Sequence, residues 1–250
     1  MATKKVIPIK KITSWSFSRY SDYKNCPLKF KLKHIDKIKE PPNPAMARGA
    51  AIHTLAEEYI KGKGRTLPPE LKLFETEFKA LRKQFKKSIN GMVVEDNWSF
   101  TKDWQETEWD NWVHCYVRIK LDCAHHEGDD ILIVHEGDDI LIVTDWKTGK
   151  FRAEMNEEYV EQLELYALAA LLLHPHLKEV RPRLAYLDQG TVYPDEDKPL
   201  IFTPKDIDKL KKIWAKRTKA MLNDTTFAPR PNDKCRWCFF SASKNGPCKY

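Results

Sequence analysis

Asp145, Trp146 and Lys147 set a carboxylate and an amine two residues apart, so in an extended strand both side chains leave on one side. A carboxylate can hold Mg²⁺ or Mn²⁺, while a lysine beside it can orient an attacking water and stabilise the charge that develops on a phosphodiester. The triplet alone is common, and surface charge is its ordinary explanation. Asp122 adds to it as a second carboxylate on the polar side of the preceding strand, where a hairpin brings it beside Asp145. His53 offers an imidazole for the same cation, and Glu57, one turn later, can face the same cleft. Gln162 and Tyr166, four residues apart, present an amide and a phenol on one helical face.

These residues need strands and helices in a particular order. Met46 to Lys61 reads as a helix after the breaks at Pro41, Pro42 and Pro44, which mark a linker. Leu71 to Lys87 is amphipathic, with Leu73, Phe74, Phe78, Leu81 and Phe85 at three- and four-residue steps. Met92 to Phe100 and Trp112 to Cys123 alternate as strands do, placing Val117, Ile119, Leu121 and Cys123 opposite Arg118, Lys120 and Asp122. Ile140 to Lys147 is apolar on both faces until its end, as expected of a central strand. Asn156 to Leu173 is a helix with Glu157 and Glu158 in its first turn. Val180 to Leu187 is a strand, and Pro204 to Leu222 a basic helix capped by Thr203. Interleaved strands and helices make the class α/β.

At 250 residues and 42% hydrophobic, the chain is expected to form one compact unit spanning 1–250. The longest apolar run, Leu165 to Leu173, is about half of the ~20 residues a membrane span requires. The Lys-rich start lacks a secretory apolar region, so a cytoplasmic protein without membrane partners is expected. The excess of 43 Lys and Arg over 36 Asp and Glu gives +7, a balance that suits a polyanion without requiring one.

Taken in order, GAAIH at Gly49 to His53, the Asp122 strand, DWKTGK at Asp145 to Lys150 and QLELY at Gln162 to Tyr166 resemble the motifs of RecB-like PD-(D/E)xK nucleases. The resemblance implies a restriction-endonuclease-like core, a central mixed β-sheet flanked by helices. It also implies that His53, Asp122, Asp145 and the Trp146 carbonyl hold Mg²⁺ or Mn²⁺. Lys147 becomes the catalytic lysine, and Gln162 and Tyr166 support the site and contact DNA. Glu95 stands where the family often carries an acid, without an assigned role. The implied activity is a metal-dependent exonuclease acting on single-stranded DNA or free DNA ends. The implied process is DNA recombination, repair or processing, with recombination or CRISPR-adaptation proteins as implied partners.

Six cysteines in a chain with no secretory signal point to metal rather than disulfides. Cys235, Cys238 and Cys248 supply three thiolates, and Cys26 in NCPLKF is the best fourth. This arrangement is similar to the iron-sulfur branch that includes the CRISPR-associated exonucleases and the AddB nuclease domain. There the N- and C-terminal segments, here 16–40 and 227–250, share a [4Fe–4S] cluster. Zinc at the same four cysteines is the alternative. Cys115 and Cys123 read as core residues. The aromatics Trp15, Phe17, Tyr20 and Tyr23, set among Arg19 and Lys24, read equally as core or as a guide for a single strand.

The segment HEGDDILIV occurs twice in tandem, at His126 to Val134 and His135 to Val143. Its odd length would exchange the faces of a strand if pairing slid to absorb it. Two functions therefore follow: an active nuclease with one copy looped out, or a DNA-end-binding or assembly factor whose metal site the duplication has spoiled. The second copy, continuous with DWK, is expected to be the core strand.

Overall fold

The strand that ends in Asp145 to Lys147 is the centre of a five-stranded sheet in the computed structural model, which describes residues 12–87, 92–126 and 139–250. The elements follow as α1 (Phe17–Asn25), α2 (Pro27–Phe30), α3 (Pro44–Ile60), α4 (Glu75–Lys87), β1 (Val93–Phe100), β2 (Val117–His126), β3 (Ile140–Lys147), α5 (Asn156–Leu173), β4 (Glu179–Tyr186), β5 (Thr191–Tyr193) and α6 (Ile207–Asn223). The strands lie in sequence order, with β3 and β4 parallel and all other neighbours antiparallel. The fold is α/β with a mixed sheet flanked by helices, as read from the sequence.

The chain groups into two compact units: Pro42–Lys212, which holds the sheet, and a smaller unit made from residues 1–41 and 213–250. The first boundary falls within the proline run at 41–44, where Asn43 caps α3 by accepting the Ala45 N–H at 2.9 Å. In the larger unit, one sheet face packs on α3 and α4. Ile52, Ala56, Phe78 and Leu81 meet Val94, Cys123, Trp146 and Ala185 in one buried cluster. Each large apolar side chain so buried contributes about 1.5–3 kcal/mol. That packing fixes the backbone at Trp146, 1% exposed, and so turns Asp145 and Lys147 to the opposite face. There lies α5, apolar on almost every side and buried along most of its length.

The smaller unit has its own core. Trp15 stacks on Trp214 at 5.3 Å, Phe17 and Tyr20 meet the same indole edge-on, and the Tyr23 hydroxyl donates to Asp224 at 2.8 Å. Trp15 and Tyr20 are thus core, while Phe17 and Tyr23 are half-buried at its margin.

Three expectations shift. The helix foreseen over Leu71 to Lys87 opens as a 3₁₀ turn, Pro69–Phe74, because Pro68 and Pro69 constrain its entry. The second strand begins at Val117 and not at Trp112. Trp112 and Val113 are exposed, and Arg118 lies over Trp112 at 4.6 Å. Cys115, buried as expected, precedes the strand and does not lie in it. The second HEGDDILIV copy does supply the core strand, and the first lies almost wholly outside the described residues.

Candidate active site

The pairing of β2 with β3 sets Cys123 against Thr144 and Ala124 against Val143. By the same register Asp122 lies across from Asp145, both on the face away from Trp146. The duplication has therefore not exchanged the faces. Asp122 and Asp145 are each 6% exposed. The backbone N–H of Trp146 donates to Asp122 Oδ2 at 2.7 Å, tying the two strands at the site.

His53 reaches the same place from α3. A side chain at Gly49 would place its Cβ 3.1 Å from Thr148 Oγ1, so glycine allows α3 to close on the loop after β3. The His53 Nδ1 atom lies 3.2 Å from Asp122 Oδ1 and 3.3 Å from Glu95 Oε1. Its Nε2 lies 2.8 Å from the Trp146 carbonyl. Both ring nitrogens face acceptors, an arrangement that only the doubly protonated ring satisfies. Burial works against that charge, but Asp122 and Glu95 outweigh it and raise the His53 pKa to about 10. Burial, and then the neighbouring Asp145, push the Asp122 carboxyl up to about 6.

Glu95, which motif reading left without a role, completes the group. His53, Glu95 and Asp122 offer ligand atoms all within 4.8 Å of one another, the sole such group of three or more among the described residues. Glu95 interrupts the β1 to β2 ladder at φ 53°, a left-handed conformation rare in non-glycine residues. Its Oε2 meets Lys120 Nζ at 3.0 Å, while its Oε1 is buried without a hydrogen bond of normal geometry. No pattern of residue types reports a backbone twist of this kind. Glu57 turns elsewhere, accepting from Lys61 at 2.7 Å.

Asp145 stands just outside this group. Its Oδ1 accepts from the Tyr166 hydroxyl at 2.6 Å and from Gln162 Nε2 at 3.2 Å. Its Oδ2 lies 2.5 Å from Lys147 Nζ, with no hydrogen bond of normal geometry. Lys147 also donates to Gln162 Oε1 at 3.1 Å, and Gln162 Nε2 to the Tyr166 hydroxyl at 2.8 Å. The four-residue step on α5 therefore joins Gln162 and Tyr166 to both members of the D-x-K pair. Burial opposes the Lys147 charge, yet Asp145 holds its pKa above the ordinary value.

One imidazole, three carboxylates and a carbonyl form a hard, oxygen-rich donor set suited to Mg²⁺ or Mn²⁺. Glu95 Oε1 and Asp145 Oδ2 are buried and face the cationic His53 and Lys147 without a hydrogen bond of normal geometry, negative charge that a divalent cation would also balance. A family model of the PD-(D/E)XK nuclease superfamily matches residues 14–243, which includes all of these groups. The chain belongs to the PD-(D/E)XK nuclease superfamily. It is similar to the Gene 69 protein of Mycobacterium phage L5, 32% identical over 80 residues. That match covers 30% of this nuclease-family chain and 26% of the phage protein, so the chain matches about a quarter of that relative's length. A solved structure from Eubacterium rectale, described as a "Putative exonuclease", aligns over 90% of this chain and 88% of its own at 12% identity and a TM-score of 0.44.

The four cysteines expected to bind a cluster all belong to the smaller unit of this family member. Cys26 lies between α1 and α2 and accepts the Arg230 N–H at 3.5 Å, while Cys235 accepts the Asn232 N–H at 3.3 Å. Asn232 and Lys234 also bond to Asn25, at 3.1 and 2.8 Å, so the C-terminal tail is fastened beside Cys26. Gly246 permits the last turn, since a Cβ there would fall 2.3 Å from the Phe240 carbonyl carbon. All four thiols are free and half-buried. Burial raises the Cys238 pKa, as do nearby Cys26 and Cys235. No three of these sulfurs lie within 4.8 Å of one another. Among the described residues no helix is long and apolar enough to cross a membrane.

Proposed function

We propose that this protein is a metal-dependent deoxyribonuclease that hydrolyses phosphodiester bonds at DNA ends. The observation that carries the reading is the convergence of His53, Glu95 and Asp122 on a D-x-K pair that Gln162 and Tyr166 hold in place. His53, Glu95, Asp122 and Asp145, with the Trp146 carbonyl, would hold Mg²⁺ or Mn²⁺. When bound, that cation supplies a Lewis acid for the phosphoryl oxygen and lowers the pKa of water. Lys147 orients the attacking water and steadies negative charge on the phosphate. Tyr166 and Gln162 keep Asp145 and Lys147 in register, and the buried wall behind Trp146 excludes bulk solvent. Action at ends rests on the motif resemblance.

Cys26, Cys235, Cys238 and Cys248 serve in this reading as ligands of a [4Fe–4S] cluster that stabilises the smaller unit. Amide N–H groups directed at Cys26 and Cys235 suit cluster thiolates. Zinc at the same four thiolates is the alternative, and the motif resemblance is what favours the cluster.

The test uses anaerobically purified protein and end-labelled single- and double-stranded DNA with Mg²⁺ or Mn²⁺. Wild type and a variant lacking His126 to Val134 should both cleave, and Lys147→Ala should not. Cleavage only after the deletion would favour the reading of a disabled DNA-end-binding protein. Equal cleavage by Lys147→Ala would overturn the assigned site.

A further inference from the structure

Beside the D-x-K pair lies a group of aromatic rings that the reaction itself does not use. Parallel pairing of β3 with β4 sets Tyr186 directly against Lys147, on the same face. Phe151, four residues after Lys147, packs edge-on against Tyr186 at 5.4 Å and lies near-parallel to Tyr193 at 5.5 Å, with 28° between the planes. Tyr159, from the first turns of α5, closes the set at 5.7 Å from Phe151 and 5.6 Å from Tyr193.

The four rings are not equally buried. Tyr159 and Tyr186 are 8% and 3% exposed and form the back of the cluster, whereas Phe151 and Tyr193 are partly open to solvent. The Tyr186 hydroxyl is buried without a hydrogen bond of normal geometry. The loop that carries Phe151 is anchored. Asp188 accepts the Gly149 N–H at 2.7 Å and both terminal nitrogens of Arg48, and Gln189 accepts the Phe151 N–H. Two cations, Lys150 and Arg152, flank Phe151 in the sequence and are exposed. The acids that follow, Glu157 and Glu158, lie in the first turn of α5, where they complement its dipole.

A fixed, half-open aromatic surface one strand away from Lys147, with exposed Lys150 and Arg152 next to Phe151 in the chain, has the properties of a base-stacking platform. We infer that Phe151 and Tyr193, backed by Tyr159 and Tyr186, stack an unpaired nucleobase close to the scissile phosphate. The substrate class is then single-stranded DNA or a frayed end, because a base held in a duplex keeps its faces on its neighbours. This rests on the nuclease reading above and adds the strand requirement to it.

The experiment compares wild type, Phe151→Leu and Phe151→Tyr on single-stranded oligonucleotides. Each oligonucleotide carries one abasic position, placed in turn at each of the terminal nucleotides, and a blunt hairpin duplex serves as comparison. Phe151→Leu should raise KM on the intact strand about five- to hundredfold, the range for losing one stacked base, with a smaller change in kcat. On the strand abasic at the stacking position KM should already be raised, and the leucine variant should add less than twofold. Phe151→Tyr should behave as wild type, and the duplex should be the poorer substrate. The same series read as binding in EDTA, by fluorescence anisotropy, reports on stacking even if no cleavage occurs, so the two readings fail separately. A leucine variant with unchanged KM and affinity would overturn the platform. So would an equal loss on every abasic strand, or cleavage of the blunt duplex as fast as the single strand.

Discussion

Tyr166→Phe removes one hydroxyl from the interior of the site and nothing else. That hydroxyl donates to Asp145 Oδ1 at 2.6 Å and accepts from Gln162 at 2.8 Å, and the ring is 4% exposed. Phenylalanine keeps the ring and its packing, so the perturbation is confined to Asp145 and the Gln162 amide beside it. A hydrogen bond to a charged group is worth about 1.5–3 kcal/mol. Gln162 Nε2, already 3.2 Å from the same oxygen, can take up part of the loss, which selects the lower part of that range. At about 1.4 kcal/mol per tenfold, metal affinity should fall about ten- to thirtyfold. Isothermal titration with Mn²⁺, cleavage rate against Mn²⁺ concentration, and thermal unfolding together decide the case. Weaker binding, with activity partly restored at saturating metal, is the expected pattern. A folded Tyr166→Phe protein whose affinity and activity stay within twofold of wild type would refute the assignment of Asp145 and its support.

Because His53 is protonated in the metal-free protein, with a pKa raised to about 10, a cation must displace its proton. The pairing of the charged ring contributes stability that is complete below the unfolded histidine value and is lost as pH rises through the folded one. Manganese affinity should accordingly tighten toward tenfold between pH 7 and 8, and a pH-independent affinity would count against His53 as a ligand. In the smaller unit, burial opposes the Asp22 charge, but His34, Lys33 and Lys29 hold its pKa well below the usual carboxylate range. The resulting stability is present above the unfolded pKa of about 4 and is lost as pH falls below it. Asp22→Asn should cost about 1–3 kcal/mol at pH 7, with the difference from wild type closing toward pH 3 in urea titrations. Cys26→Ser should remove the brown colour of anaerobically prepared protein and loosen the smaller unit, read as lost protection of 227–250 in hydrogen exchange. Colourless wild-type protein with stoichiometric zinc would replace the iron-sulfur assignment.

Local pattern was enough for the strand ending in Asp145 and Lys147 and for α5, whose bounds at Asn156 and Leu173 are those read from the sequence. Four-residue spacing on α5 set Gln162 and Tyr166 on one face, and the apolar alternation of β2 put Cys123 in the core. These features depend on neighbours within a turn or a strand, and chain periodicity reports such neighbours directly. Trp112 and Val113 show the limit. Their apolar character resembles a strand start, but a guanidinium covers Trp112 at the surface, and residue type carries no record of that contact. Glu95 was decided by the tertiary structure alone. Its place depends on a left-handed twist opposite Asp122 and on His53 arriving from α3, 42 residues earlier in the chain. The outcome of the HEGDDILIV repeat was decided the same way. The sequence holds two identical candidates for one strand, and the continuity of the second copy with Asp145 and Trp146, whose indole is buried against Phe78, selects it.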